Sequence, residues 1–133
     1  MAVTVSVRDQ AGAATAAEQT FELDVPAALT LRDLIRTRVR EEVAKANAAI
    51  GRGQPFRTLV QPTEAEVTLN GYRLGRERTI DWQRQAARAE EAFRRNGFVV
   101  LVDGRQVEDL DEELALGTDS EIRFIRLTPL VGG

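Results

Sequence analysis

The chain has 133 residues, 43% hydrophobic and 29% charged, a composition typical of one globular domain with its own core. Its formal net charge of −3 provides no bulk attraction to nucleic acid or to an anionic membrane surface. Cysteine and histidine are both absent, which excludes thiol and imidazole catalysis, disulfides and the usual zinc and haem ligands. We find no nucleophile–base pair and no metal-ligand spacing. We therefore predict a protein that is not an enzyme, with no catalytic residues, no metal and no bound cofactor.

The first residues alternate between apolar and polar types, unlike a signal peptide, and no segment has the length and hydrophobicity of a membrane span. We therefore expect a cytoplasmic protein with no nucleic-acid partner and no membrane partner. Lys45 is the only lysine, so Lys45 and the amino terminus are the only groups that could accept an amide bond.

Two strands and a long helix are predicted in the first 51 residues. The alternating apolar residues are Val3, Val5 and Val7 in the first strand and Phe21, Leu23 and Val25 in the second. Residues 9–17 are predicted to form a turn or loop, so the strands should make an antiparallel hairpin. The helix should begin after the N-cap Thr30 and end near Ile50-Gly51, with an apolar face made of Leu31, Leu34, Ile35, Val39 and Val43.

Residues 51–97 differ in character from the rest and are predicted to be an insertion of loop, hairpin and helix. Asn70-Gly71 suits a tight hairpin turn between Val67 and Leu74. A second helix should run over residues 81–96, with Asn96-Gly97 as its stop. The segment is either a partner-docking surface or a solvated insertion, and the sequence does not decide between them.

Three strands are predicted after the insertion. Residues 98–102 form a continuous apolar strand, and Asp103-Gly104 predicts a hairpin turn into residues 105–107. The last strand covers residues 121–126. Ile122 and Phe124 should face the core, which leaves Arg123 and Ile125 on the opposite face.

The element order and three sequence features resemble the β-grasp ubiquitin-like proteins. These features are Val-Asp-Gly-Arg-Gln-Val at 102–107, Gly117-x-Asp119-x-Glu121-Ile-x-Phe, and the final Gly132-Gly133. The chain is most similar to the bacterial sulfur carriers (the small subunit of molybdopterin synthase and the thiamine sulfur carrier) and to related bacterial ubiquitin-like modifiers. The resemblance covers about residues 2–50 and 98–133. It implies an α+β fold in which a mixed β-grasp sheet packs on one long helix, as a single domain over 1–133, with the 51–97 insertion and a flexible tail at 128–133.

The resemblance also implies a function. In this family an adenylating enzyme related to ubiquitin-activating enzymes uses ATP to activate the last glycine carboxylate, here Gly133. The leading hypothesis is a modifier that is then transferred to amines of target proteins. A conjugating enzyme and a deconjugating metalloprotease are further partners that the resemblance allows. The alternative is a sulfur carrier bearing a Gly133 thiocarboxylate, and a third class is a non-covalent β-grasp interaction module.

The predicted site is accordingly the end of the chain. Gly132 and Gly133 are expected to enter the activating site, because glycine lets the backbone approach closely. Residues expected to line its approach or to contact the activating enzyme are Thr128, Pro129, Leu130, Val131, Arg126, Arg123 and Ile125.

Overall fold

The computed structural model describes residues 2–11, 14–53 and 80–127. It divides into two compact units, one made of Met1–Leu34 with Ala92–Gly133 and the other of Ile35–Glu91. The helices are α1 (Leu31–Gly51) and α2 (Trp82–Arg94). The strands are β1 (Ala2–Ala11), β2 (Ala14–Pro26), β3 (Ala28–Thr30), β4 (Phe98–Val102), β5 (Arg105–Val107), β6 (Glu113–Ala115) and β7 (Glu121–Arg126). The predicted α+β class is confirmed.

The first unit contains a mixed five-stranded sheet in the order β2-β1-β7-β4-β5. Its two central strands, β1 and β7, are parallel, and the other neighbouring strands are antiparallel. The first and last of the described strands therefore lie side by side. This arrangement is compatible with a β-grasp-like α+β fold.

Alternation along the strands separates a buried face of the sheet from an outer face. The buried apolar residues on these strands are Val5, Val7, Leu23, Val25, Phe98, Val100, Val102, Val107, Ile122 and Phe124. Phe124 is 1% exposed, and its ring lies 5.9 Å from that of Phe98, centroid to centroid. Ile122 and Phe124 face the core as predicted, while Arg123 and Ile125 are half-buried on the outer face.

The β4–β5 hairpin has the tight turn that its sequence predicts. Asp103 and Gly104 have positive φ angles of 51° and 86°, as expected of the two central residues of a type I′ turn. Two hydrogen bonds of 2.8 Å attach this turn to the start of β7. The Asp103 N–H donates to the Glu121 carbonyl, and the Glu121 N–H donates to Asp103 Oδ1.

The predicted loop at residues 9–17 is wrong over most of its length. β1 continues to Ala11 and β2 begins at Ala14, with Ala11 paired to Ala14. The small residues in this stretch carry no apolar alternation, so the local pattern missed strands that pairing with a neighbour extends. The small β3–β6 sheet was also missed, because each of its strands has only three residues.

Helix α1 begins as predicted. The Thr30 hydroxyl accepts a 3.1 Å hydrogen bond from the Asp33 N–H, which is the N-cap interaction. Two further N–H groups of the first turn donate to carbonyls of the segment between β5 and β6, from Leu31 to Glu112 at 3.0 Å and from Arg32 to Leu110 at 2.8 Å. These bonds satisfy donors that have no partner within the helix. All five predicted apolar-face residues are buried.

The second unit contains α1 from Ile35 onward and most of α2. Asn47 makes two hydrogen bonds to the backbone of Ile80: its side-chain oxygen accepts from the Ile80 N–H at 2.6 Å, and its side-chain amide donates to the Ile80 carbonyl at 3.2 Å.

The predicted second helix is confirmed, with Asn96 in the left-handed conformation just after its end. The predicted hairpin at 67–74 lies outside the described residues, and the single domain with an insertion at 51–97 stays a prediction.

Replacing Phe124 by alanine is expected to lower the free energy of unfolding by about 3–5 kcal/mol, because it removes a fully buried ring and leaves a cavity. The neighbouring Ile125→Ala on the outer face is the matched control and should cost less than about 1.5 kcal/mol. Urea unfolding monitored by circular dichroism measures both values. Equal losses would contradict the assignment of the two faces.

The Asn47→Ala variant should destabilise the second unit by about 1–3 kcal/mol, since it leaves the Ile80 backbone groups without their side-chain partners. Asn47→Asp keeps the acceptor and loses the donor, so an intermediate effect is expected. Trp82, the only tryptophan, lies in this unit and reports its unfolding by fluorescence. An Asn47→Ala midpoint in urea equal to that of the parent would refute this role.

Candidate functional site

The residues predicted to enter the activating site lie beyond the part of the chain that the structure describes. Gly132, Gly133 and the approach segment Thr128–Val131 all fall there. The last described residue, Leu127, is 41% exposed, and its N–H donates to the Gly97 carbonyl at 2.9 Å. Backbone hydrogen bonds therefore hold β7 and the residue that follows it, up to the last described position.

The three predicted contact residues on β7 do not all share one face. Arg123 and Ile125 lie together on the outer face, where Ile125 is paired in register with Gln10 of β1 and Val99 of β4. Arg126 has the opposite parity and is paired with Phe98. A partner that covers the outer face would therefore meet Arg123 and Ile125 from the same side, but not Arg126.

The sheet places a second arginine beside Arg123. Arg8 on β1 is the direct register partner of Arg123, and both side chains are half-buried on the outer face. Next to them is a cavity of about 130 Å³, lined also by Ser6, Glu121 and Gly104. Two arginines thus line one small concave site together with a serine and a glutamate.

Apolar side chains continue this site across the sheet. Leu101 of β4 is the register partner of Arg123 on the side away from Arg8. Leu101, Val99 and Ile125 are all half-buried, so part of their surface remains in contact with solvent. Beyond Ser6, on β2, the register partner is the exposed Glu22. The outer face therefore combines an arginine pair, an apolar stripe (Val99, Leu101 and Ile125) and an acidic border.

A larger groove of about 610 Å³ lies elsewhere in the first unit, where β5 ends at Val107 while β4 extends back to Phe98. Its residues are Arg32, Phe93, Arg94, Asn96, Phe98, Val99, Gln106, Glu108, Asp109, Leu110 and Asp111. One ion pair, Arg32 to Asp111 at 3.1 Å, lies within the lining. The mixture of aromatic rings, guanidinium groups and carboxylates favours no single class of ligand.

The second unit buries polar groups that the sequence pattern did not predict. Arg38 is fully buried and its guanidinium donates twice to the Glu42 carboxylate, at 3.1 Å from Nε and at 2.7 Å from Nη2. Gln85 of α2 is 1% exposed. Trp82 is half-buried, and the guanidinium carbons of Arg36 and Arg40 lie 6.0 and 5.5 Å from its ring centroid, within reach of cation–π attraction.

Within residues 2–11, 14–53 and 80–127, no group of three or more acidic side chains is placed to hold a metal ion. No helix in the same residues is long and apolar enough to cross a membrane. Comparison with known proteins identifies no relative: no protein-family model matches the sequence, and no curated protein or solved structure is significantly similar to it.

Arg8 and Ser6 are the site residues that sequence reasoning missed. Alternation with the buried Val5 and Val7 already assigned both to the polar face of the first strand. The missing information was that β1 pairs in parallel with β7 in a register that places Arg8 opposite Arg123. Local sequence patterns do not contain that pairing.

The Arg123→Gln variant is expected to raise the free energy of unfolding by about 0.2–1 kcal/mol, because it removes one of two like charges that face each other across neighbouring strands. The gain should shrink in 1 M salt, which screens the repulsion. Urea unfolding at two salt concentrations measures it.

Arg105→Gln is the control of opposite sign for that experiment. The Arg105 guanidinium is paired with the Glu112 carboxylate at 2.6 Å, so its loss should lower stability by about 0–1 kcal/mol. A destabilising effect of Arg123→Gln that is independent of salt would contradict the repulsion argument.

Proposed function

We propose that this protein is a ubiquitin-like modifier whose Gly133 carboxylate is activated by an adenylating enzyme and transferred to amines of target proteins. The observation that carries the proposal is the central position of β7 in a β-grasp-like sheet, directly before the segment that contains Gly132-Gly133. β7 is hydrogen-bonded to β1 on one side and to β4 on the other. Because β7 is held on both sides, it provides a rigid attachment point for the following segment, which the partner enzyme would bind.

The chemistry requires an activated carboxyl group, because a carboxylate is a poor electrophile near neutral pH. The Gly133 carboxylate attacks the α-phosphate of ATP, forms an acyl adenylate and releases pyrophosphate. A thiol of the partner enzyme then displaces AMP to form a thioester, and a target amine displaces that thiol to form an amide. None of these steps uses a catalytic side chain of this protein, which agrees with the absence of cysteine and histidine.

Contact with the activating enzyme is proposed for the outer face of the sheet near the end of β7. Arg123 and Ile125 lie on that face, so they are better placed than Arg126 to act together. Lys45, the only side-chain amine, is exposed on α1 and is available as an acceptor if a second copy of the protein is itself a target.

The proposal is tested by mass spectrometry of the protein recovered from its own host through an N-terminal tag. Trypsin cleaves after Arg126, so a conjugated target lysine should carry the remnant Leu-Thr-Pro-Leu-Val-Gly-Gly from residues 127–133. Deleting Gly132 and Gly133 should remove every such peptide. Lys45→Arg, the matched control, keeps the carboxyl end and should abolish only those conjugates between copies of this protein that are joined through Lys45.

Other results of the same measurement would replace the proposal. Sulfur in place of oxygen on the Gly133 carboxyl group would identify a sulfur carrier instead. Gly133 found within a longer peptide, or only as a free carboxylate with no conjugates, would refute covalent transfer and leave a non-covalent interaction module.

A further inference from the structure

We propose that Arg36 and Arg40 of α1, together with Trp82 of α2, form a binding site for a phosphate monoester. All three residues belong to the second unit. The inference goes beyond the proposed carrier function, because it needs neither a reaction at Gly133 nor a contact with the sheet.

The first argument is the position of the two guanidinium groups. Arg36 and Arg40 are four residues apart on α1, so their side chains are neighbours on one face of the helix, and both are exposed. Their guanidinium carbons lie 6.0 and 5.5 Å from the centroid of the same indole ring, that of Trp82. Like charges at this spacing destabilise a helix. An anion bound between the two groups would remove that repulsion.

The second argument is that neither arginine has a carboxylate partner. In the part of the chain that the structure describes, the side chains of Arg36 and Arg40 form no ion pair and no hydrogen bond. Elsewhere on the same helix, Arg38 pairs with Glu42 four residues later. The residue four positions after Arg36 is Arg40 itself, and the next at that spacing is Ala44. The N–H donors of both guanidinium groups are therefore open to a ligand.

The third argument is that the indole ring is held in place. Trp82 is half-buried and is the first residue of α2. Just before it, Asp81 Oδ1 accepts from the Gln83 N–H at 2.9 Å, and Ile80 is bound to Asn47 of α1 by two hydrogen bonds. The ring therefore presents a fixed surface beside both guanidinium groups. Cation–π attraction restrains these groups without using their N–H donors.

The charges around the ring select the type of anion. Asp81, the acidic residue next to Trp82, is already engaged as the helix cap and lies 3.9 Å from Arg84. Glu41 follows Arg40 directly, a spacing at which helical side chains do not face each other. Two guanidinium groups thus remain without a counterion. A phosphate monoester carries a charge of about −1.5 to −2 near pH 7 and accepts paired hydrogen bonds from arginine. A singly charged anion would balance only one of the two.

The test uses the fluorescence of Trp82, the only tryptophan in the chain. The whole protein is titrated at constant ionic strength with glycerol phosphate, a short acetylated peptide containing phosphoserine, the same peptide with unmodified serine, methyl sulfate and sodium acetate. Both phosphate probes should change the fluorescence with saturation and should bind at least tenfold more tightly than methyl sulfate or acetate. The unmodified peptide should leave the signal unchanged.

The two phosphate probes also identify the source of the phosphate group. Tighter binding of the phosphopeptide would assign the site to a phosphorylated segment of a partner protein. Equal or tighter binding of glycerol phosphate would assign it to a small phosphate ester. Calorimetry supplies the same dissociation constants without relying on the fluorescence of the ring.

Substitutions then assign the binding to the two arginines. Arg36→Gln and Arg40→Gln should each weaken phosphate binding about tenfold or more, the loss expected for a hydrogen bond to a charged group. Arg40→Lys keeps the charge without the planar fork and should show an intermediate loss. Lys45→Gln is the matched control, because it removes one positive charge from another exposed position of α1, and it should bind as the parent does. A preserved amide NMR spectrum verifies that each variant is folded.

Three outcomes would overturn the inference. The first is the absence of saturable binding of either phosphate probe by fluorescence and by calorimetry. The second is binding of methyl sulfate or acetate as tight as that of the phosphate probes, which would show a general attraction of anions to positive charge. The third is equal affinity in the parent and in both glutamine variants. None of these outcomes bears on conjugation through Gly133, so the two proposals fail or stand separately.

Discussion

The pairing of β1 with β7 is the constraint on which the first unit depends. Residues 6–11 lie parallel to residues 121–126, so the start and the end of the described chain meet at the centre of one sheet. Parallel neighbours cannot be joined by a tight hairpin, and the whole intervening chain must therefore form the crossover between them. β2 and β4 then extend the sheet on either side by antiparallel pairing. Without the central pair, β2 and β5 would belong to two separate hairpins, and hairpins of this size are marginal alone in water.

The same pairing determines what the outer face contains. Side chains alternate between faces with a period of two, so a slip of one residue between β1 and β7 would bring Arg8 opposite a core residue of β7. Burial of Val7, Ile122 and Phe124 excludes that slip, because it would expose the core and bury a charge. The core thus imposes the register, and the register in turn places two arginines side by side. Packing on the other face is large enough to outweigh the repulsion expected between like charges at opposite positions.

The second unit differs from the first in that it buries a charged side chain. The Arg38 guanidinium is fully buried and its Glu42 partner lies one helical turn further along α1. The pair can form within the helix before any tertiary contact, so burial removes a neutral pair from water rather than an isolated cation. Desolvation still has a cost, and an apolar pair of similar volume would often be as stable. Loss of Glu42 alone would be more damaging than loss of both, because it would remove this carboxylate partner from a cation that stays buried.

Features that depend on neighbouring residues are predicted from the sequence. Features that depend on contacts between distant segments are not. The Thr30 cap, the Asp103-Gly104 turn and the Asn96 stop depend on a few adjacent positions, and all three occur as expected. The ends of β1 and β2, the short β3–β6 sheet and the burial of Arg38 were not predicted, since pairing or packing with remote segments produces them. The candidate site divides in the same way. Alternation alone placed Arg123 and Ile125 on the outer face, whereas the role of Arg8 follows from a register between the two central strands, which neither strand encodes by itself.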